Sequence, residues 1–169
     1  MNPYENAPIG VFDSGVGGLS ILSASLNNLP SESYLYIADG AYAPYGDKSY
    51  AVIRERVFEV VSYLIEKGVK AIVIACNTAT AAAVKECREA FYLPIIGVEP
   101  GLKPAIKISH SKRVGVLATQ YTVTSQKFKR LVYDLKPQAD TITALGCPGL
   151  VELIENPHST NQALCSLLQ

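Results

Sequence analysis

The pattern of hydrophobic and polar positions divides the chain into two kinds of segment, which alternate in a regular order. Short apolar runs rich in β-branched residues are too short for helices and predict buried parallel strands. Each run is followed by turn residues and then by a segment whose apolar residues have helical spacing. Because the order strand, turn, helix repeats, the sequence predicts an α/β fold built on parallel sheets.

The first series of this pattern contains four predicted strands, at residues 8–12, 34–38, 69–74 and 93–98. Helices are predicted between them at about 19–29, 50–67 and 79–91. The turn residues Glu99-Pro100-Gly101 then indicate a domain boundary near Val98, so that the predicted domains are 1–98 and 99–169.

The second series is shorter and predicts an incomplete second unit. Its strands are predicted at 113–118 and 140–145, and its helices at about 122–134, 148–155 and 160–168. Two strands make a small sheet, and apolar residues continue to the end of the chain.

Composition narrows the class of protein. The 169 residues are 49% hydrophobic and 18% charged with zero formal net charge, which favours neither nucleic acid nor an anionic membrane as a partner. No apolar run reaches the roughly 18 residues of a membrane span, and the first residues lack the features of a signal peptide. The four cysteines are widely spaced with no metal-binding pattern, so we expect free thiols, no metal site and a cytoplasmic location.

Cys76 lies where the third predicted strand ends and a helix begins. Asn77 and Thr78 are expected to cap that helix, and the helix dipole is expected to lower the pKa of the thiol. The carboxyl edge of a parallel sheet is also where open α/β folds bind ligands. The alternative is a small buried cysteine that only packs.

Polar residues also follow the other strands, and parallel strands bring them to the same edge. Asp13 and Ser14 follow the first strand, Asp39 follows the second, and the loop containing Tyr45 and Gly46 can reach that edge. Asp13 near Cys76 fits a proton-transfer partner. Helix capping by Asp13, capping or a turn for Asp39, and packing for Tyr45 are the alternatives.

The segment 15–18, Gly-Val-Gly-Gly, is similar to loops that bind anions through backbone N–H groups. It has neither the Walker ending nor the dinucleotide-binding spacing. A tight strand–helix turn, a site for a small carboxylate and a nucleotide site are the alternatives. Outside this region, Cys87 and Cys165 are expected in the core, and His110 and His158 on the solvated surface.

Five motifs resemble those of the glutamate racemases, in the cofactor-independent aspartate/glutamate racemase group. They occur in family order over nearly the whole chain: Val-Phe-Asp-Ser-Gly-Val-Gly-Gly-Leu-Ser at 11–20, Pro-Tyr-Gly-Asp-Lys-Ser at 44–49, Ala-Cys-Asn-Thr-Ala at 75–79, Gly-Val-Leu-Ala-Thr at 115–119, and Cys147-Pro148 with Glu155. The resemblance implies two flavodoxin-like α/β units, with helices on both faces of each sheet, facing each other across a cleft. It also implies interconversion of L- and D-glutamate for bacterial peptidoglycan, without a cofactor or a metal.

The resemblance also implies roles for individual residues. Enzymes of this group use two cysteines on opposite sides of the substrate α-carbon, one removing the proton and the other returning one. Cys76 resembles the catalytic cysteine associated with D-glutamate, and Asp13 resembles the carboxylate that assists it. The residues similar to those that hold the substrate are Ser14, Tyr45, Gly46, Asn77 and Thr78, with Thr119 in the second unit, and Glu155 resembles an acidic residue near the cleft.

The chain departs from the family pattern in two ways. The second catalytic cysteine of the family lies in a Gly-Cys-Thr-His segment after the Cys-Pro motif, and these 169 residues contain no such segment. Gly40 stands where the family usually has threonine. We therefore expect a polypeptide truncated before its second acid/base pair, which does not racemise glutamate at a useful rate by itself.

Two alternatives to a glutamate racemase are considered. One is an aspartate or related racemase of the same superfamily, and the other is a non-catalytic module that binds glutamate or another protein. The motifs at 13–18 and 44–46 favour glutamate. The expected partner is the small-molecule substrate, with no nucleic acid and no membrane, and a homodimer is left open.

Overall fold

A computed structural model describes residues 6–168 of the chain. The chain divides into two compact units, one extending to Glu99 and the other beginning at Pro100. Both units contain parallel strands alternating with helices, which confirms the predicted α/β class.

The first unit contains a sheet of four parallel strands within the described residues, in the order β2-β1-β3-β4. The strands are β1 (Ile9–Asp13), β2 (Tyr34–Ala38), β3 (Ala71–Ile74) and β4 (Ile95–Gly97). The helices are α1 (Leu19–Asn28), α2 (Tyr50–Glu66) and α3 (Asn77–Ala90), and two short 3-10 turns, Gly40–Tyr42 and Tyr45–Asp47, lie between β2 and α2. The predicted strands and helices of this unit are confirmed, with ends shifted by at most two residues.

The register of the sheet brings three strand ends to one edge. Asp13 pairs with Ala38 across β1 and β2, and Phe12 pairs with Ile74 across β1 and β3. The backbone continues this register beyond the strands, since the Ala75 N–H donates to the Phe12 carbonyl at 2.7 Å. Asp13, Asp39 and Cys76 therefore follow neighbouring strands at the same carboxyl edge.

The core of the first unit is formed by both faces of the sheet and the buried face of α2. Two central strands contribute side chains that are completely buried: Val11, Phe12, Ile72 and Ile74. The buried face of α2 contributes Ile53, Val57, Val61 and Leu64. Since each such side chain contributes about 1.5–3 kcal/mol on burial, this apolar layer holds the sheet edge in place.

The second unit is smaller within the described part of the chain. Its parallel strands are β5 (Arg113–Ala118) and β6 (Thr141–Gly146), and its helices are α4 (Leu102–Ile108), α5 (Gln120–Thr124), α6 (Gln126–Leu135), α7 (Leu150–Glu155) and α8 (Asn161–Leu167). A short 3-10 turn, Lys136–Gln138, follows α6. Its core is a cluster formed by Leu102, Ile106 and Leu135, against which Val114, Val116 and Ile142 pack.

Two features of this unit differ from the prediction. Helix α4 was not predicted, because it has only seven residues, includes Pro104, and buries only two apolar side chains, Leu102 and Ile106. The helix predicted over 122–134 is instead broken at Ser125, whose extended backbone ends α5. The Ser125 hydroxyl accepts a hydrogen bond from the Phe128 N–H at 3.2 Å and so begins α6.

Replacing Gly68 by alanine should lower the free energy of unfolding by about 1–2 kcal/mol. Gly68 follows α2 with φ of +76°, and a Cβ at this position meets no atom within 4 Å, so the cost is conformational and not steric. Gly40→Ala is the matched control, because its Cβ is equally unobstructed and its backbone is not left-handed. Equal losses for the two variants in urea denaturation would contradict this explanation.

Candidate active site

Cys76 is itself the N-terminal cap of α3. Its sulfur accepts a hydrogen bond from the Ala79 N–H at 3.4 Å, and its carbonyl accepts one from the Thr80 N–H at 2.9 Å. The prediction that Asn77 and Thr78 cap the helix was wrong, since α3 begins at Asn77 and both residues lie in its first turn. The thiol is therefore held at the junction by the backbone, and it is only 7% exposed.

Asp13 and Ser14 lie beside this thiol at the end of β1. The Ser14 hydroxyl is 3.3 Å from the Cys76 sulfur, which joins two strand ends that are 62 residues apart in sequence. Asp13 is buried, and its Oδ2 accepts a hydrogen bond from the Gly18 N–H at 2.8 Å, just before α1. Asp13 can therefore anchor the start of α1 and at the same time lie close enough to the thiol to act on it.

The pKa of the Cys76 thiol is raised, so the prediction of a lowered value was wrong. Burial is the largest cause, and the negative charge of Asp13 adds to it. Hydrogen bonds with Ser14 and the Ala79 N–H act in the opposite direction and are outweighed. At neutral pH the folded chain therefore holds a protonated thiol at this position.

The alkylation of Cys76 should show this raised pKa directly. We expect the pH profile of its reaction with iodoacetamide to lie at higher pH in the folded chain than in the urea-unfolded chain. Asp13→Asn removes a negative charge while keeping an acceptor for Gly18, and should move the profile to lower pH. Peptide-level mass spectrometry measures the rates, and a folded profile at or below the unfolded one would contradict the assignment.

The same shift has a defined effect on stability. Because the folded chain binds this proton more tightly, its contribution to stability is present below the ordinary thiol pKa. That contribution is lost as the pH rises through the higher value of the folded state.

The glycine-rich segment between β1 and α1 forms a tight turn. A Cβ at Gly18 would lie 2.6 Å from the Cβ of Asp13 and 3.1 Å from that of Ala75. The Gly15 carbonyl accepts a hydrogen bond from the Tyr36 hydroxyl at 3.1 Å. Close packing thus requires glycine at position 18, which supports the tight-turn alternative for this segment.

Asp39 and Tyr45 form a second polar group at this edge. The Tyr45 hydroxyl donates to Asp39 Oδ2 at 2.6 Å, and Arg56 of α2 donates to both carboxylate oxygens, at 2.9 and 3.1 Å. Burial and the Asp39 carboxylate raise the pKa of Tyr45, whose ring is 1% exposed. The Asp39 side chain makes no capping hydrogen bond, so it acts as the acceptor of this network.

Arg56 was missed by the sequence analysis. It lies next to the apolar stripe of α2, directly before the buried Val57, and a lone arginine in such a position resembles any solvated helix residue. Its pairing with Asp39 depends on contact between β2 and α2, which the sequence pattern does not specify.

The other predicted binding residues have varied surroundings. Asn77 is exposed, Gly46 is half-buried, and Thr78 is buried in the first turn of α3. Thr119 belongs to the second unit, where it caps α5 by accepting a hydrogen bond from the Thr122 N–H at 3.2 Å. Glu155 is the last residue of α7 and is half-buried.

The remaining cysteines and histidines divide between core and surface. Cys87 is completely buried, as predicted, and burial raises its pKa to about 11. Cys165 is exposed, so its predicted place in the core was wrong, and none of the residues of α8 is buried. His110 and His158 are exposed, as predicted.

Metal-binding clusters and membrane-spanning helices are both absent from residues 6–168. In that range no group of three or more His, Cys, Asp or Glu side chains is arranged to hold a metal ion. None of the helices described there has the length and apolar character needed to cross a membrane.

Comparison with known proteins gives a consistent family match. The Asp/Glu/hydantoin racemase family model matches residues 20–169. The chain is 50% identical over its full length to the glutamate racemase of Ralstonia pickettii, of which it covers 60%. It is 52% identical over 156 residues, or 92% of its length, to the glutamate racemase of Clostridium perfringens, again covering 60%. The chain thus spans about three fifths of the length of these curated relatives.

Solved structures show the same likeness. Escherichia coli glutamate racemase, in complex with L-glutamate and the activator UDP-MurNAc-Ala, matches with a TM-score of 0.86 and 36% identity. That match covers 96% of this chain and 63% of the other. Glutamate racemase from Francisella tularensis, in complex with D-glutamate, matches with a TM-score of 0.79 and 34% identity, over 96% of this chain and 61% of the other.

Proposed function

Because the chain belongs to the Asp/Glu/hydantoin racemase family, we propose that it provides one half of a glutamate racemase active site, with Cys76 moving the α-proton. The observation that carries the proposal is the buried Cys76 thiol at the start of α3, 3.3 Å from the Ser14 hydroxyl and under the influence of the Asp13 charge. Relatives named glutamate racemase, at about 50% identity, favour glutamate as the substrate.

In the proposed reaction the thiolate form of Cys76, whose thiol proton has been lost to water, is the base. The Cα–H bond of glutamate breaks, and the α-proton passes to the sulfur of this thiolate. The electron pair left on Cα is delocalised into the α-carboxylate, and the reverse step returns a proton to the same face. An α-proton is only weakly acidic, so the step needs a strong, well-positioned base.

The raised pKa of Cys76 suits this task. A thiolate of higher pKa is a stronger base, although less of it is present at neutral pH. The ammonium group of a bound amino acid would offset the charge of Asp13 and increase the thiolate fraction when substrate is present. Asp13 thus serves as the carboxylate that tunes and assists Cys76.

The remaining site residues are proposed to hold the substrate. Ser14 orients the sulfur, and Asn77 and Thr78 place the N-terminal turn of α3, which favours a bound carboxylate. The 3-10 turn Tyr45–Asp47 is also proposed to contact the substrate. Since the Tyr45 hydroxyl already donates to Asp39, we assign this contact to the backbone of Tyr45 and Gly46. Thr119 is proposed to contribute from the second unit.

The resemblance to glutamate racemases supports a role for the whole protein in supplying D-glutamate for peptidoglycan in the cytoplasm. The proposed proton transfer needs neither a cofactor nor a metal. A homodimer is compatible with the proposal and is not required by it.

The test is hydrogen exchange at the α-carbon in deuterated water, followed by NMR with the 169-residue chain. We expect deuterium to enter D-glutamate and not L-glutamate, with no net racemisation by chiral chromatography, because these residues supply a thiol on one face only. Faster exchange with aspartate would indicate the related substrate. Thermal stabilisation by glutamate without exchange would indicate a binding module in place of the proposed half-site. The absence of both stabilisation and exchange would overturn the proposal.

A further inference from the structure

A partly buried ion pair that the proposed reaction does not use joins the end of β2 to α2. Asp39 is 8% exposed, and Arg56 donates from Nη2 to Oδ1 at 2.9 Å and from Nε to Oδ2 at 3.1 Å. This two-point geometry fixes the direction of the carboxylate. The guanidinium is in turn held 3.8 Å over the ring of Tyr42 and pairs with Glu59.

The same carboxylate holds Tyr45 from its hydroxyl end. The hydroxyl donates to Asp39 Oδ2 at 2.6 Å, and the ring is tilted against that of Phe12 with 6.2 Å between centroids. Phe12 directly precedes Asp13 in β1. The Tyr45 ring is therefore held at one end by the Asp39–Arg56 pair and at its face by the strand that carries Asp13.

The turn that contains Tyr45 adjoins the helix that Cys76 caps. The 3-10 turn Tyr45–Asp47 packs against α3, and the Cys76 thiol is close enough to influence the ionisation of Tyr45. A displacement of this turn would therefore change the surroundings of the thiol and move the backbone of Gly46.

We propose that Arg56 is a positioning residue for the Cys76 site, acting through Asp39 and Tyr45 to hold the turn at residues 44–47 in place. The use of this turn by a substrate rests on the proposed function, whereas the clamp itself is a property of the folded chain. A lysine replaces Arg56 only in part, because an ammonium group lacks the planar fork of N–H donors that matches the two carboxylate oxygens.

Loss of the guanidinium has a defined physical consequence. Asp39 is left as a buried carboxylate without its cation, so it either binds a proton or turns toward solvent. In either case the acceptor of the Tyr45 hydroxyl changes, and the turn keeps only its contacts with Phe12 and α3.

Three variants of the 169-residue chain test this proposal. Arg56→Met removes the clamp, Arg56→Lys keeps the charge without the fork, and Arg54→Met is the matched control. Arg54 lies on the same helix, pairs with Glu86 and stacks over Phe58 at 4.5 Å, so its loss removes a comparable network away from the turn.

Two measurements are independent of any activity. Hydrogen-exchange mass spectrometry of residues 39–48 should show about tenfold faster exchange or more in Arg56→Met, and a smaller increase in Arg56→Lys. Alkylation of Cys76 should accelerate several-fold in Arg56→Met, and Arg54→Met should change neither quantity. Added guanidinium ion should restore slow exchange in Arg56→Met. If the variant had only lost global stability, the added ion would not restore slow exchange.

The outcomes separate this inference from the proposed function. Unchanged exchange in residues 39–48, or an increase spread equally over the first unit, overturns the positioning role whatever the chain does with glutamate. If the clamp behaves as expected and the wild-type chain neither binds glutamate nor exchanges its α-proton, the proposed function fails and the clamp stands. Should Arg56→Met not fold, Tyr45→Phe makes the same test, because it removes only the hydroxyl that Asp39 holds.

Discussion

Replacing Cys76 by alanine should reduce the rate of α-proton exchange from D-glutamate by a factor of about 10²–10⁴, the usual contribution of a positioned acid or base. The reason is that Cys76 is the one thiol of the first unit that lies at the sheet edge with a carboxylate beside it, whereas Cys87 is enclosed in the core. NMR in deuterated water measures the rate.

Two further variants make this result specific. Cys76→Ser keeps an oxygen acceptor for the Ala79 N–H at the helix cap, so it should retain the fold and still lose exchange. Cys165→Ala removes an exposed thiol of the second unit and should exchange at the wild-type rate. Comparable exchange by Cys76→Ala and wild type would show that the proton goes elsewhere.

Gly18→Ala should destabilise the chain by about 1–3 kcal/mol and also disturb the site. The added Cβ would lie 2.6 Å from the Asp13 Cβ and 3.1 Å from the Ala75 Cβ, and neither atom belongs to a flexible side-chain end. Asp13 must therefore move, which weakens its contact with the Gly18 N–H and its influence on Cys76. Urea denaturation measures the stability, and the pH profile of Cys76 alkylation measures the site.

Gly17→Ala is the matched control for that variant. Its added Cβ would meet only Asp13 Oδ2, at 3.6 Å, which is an ordinary van der Waals distance. We expect a change of less than about 0.5 kcal/mol and an unaltered alkylation profile. If both variants lost the same stability, the close approach at Gly18 would not be the cause.

The sheet of the first unit was predictable because its signal is local. Each strand is a short apolar run followed by turn residues, and α2 shows its buried stripe at Ile53, Val57 and Leu64 directly in the sequence. Helix α4 and the break at Ser125 were not predictable in this way. In α4 the apolar residues Leu102 and Ile106 are buried by packing in a cluster with Leu135, which is distant in sequence, so the local pattern does not indicate the helix.

The closeness of Ser14 and Cys76 was predictable, whereas the electrostatics around the thiol was not. Parallel strands meet at one edge, so the closeness of Ser14 and Cys76 followed from chain order alone. The direction of the thiol pKa did not, because it depends on how far burial and the Asp13 charge outweigh the hydrogen bonds at the helix start. Arg56 was missed for a related reason, since its partner Asp39 lies on another element.

The cap of α3 carries a consequence for any covalent inhibitor directed at this chain. The sulfur of Cys76 is both the nucleophile that an electrophile would capture and the acceptor that receives the Ala79 N–H. Capture replaces the S–H bond by an S–C bond, so the sulfur can no longer become a thiolate, its stronger acceptor form, and the added group must fit beside the first turn of the helix. A covalent inhibitor would therefore form its bond to sulfur while disturbing the helix turn that binds it. A reversible ligand that leaves the sulfur unmodified would keep both the cap and the binding surface.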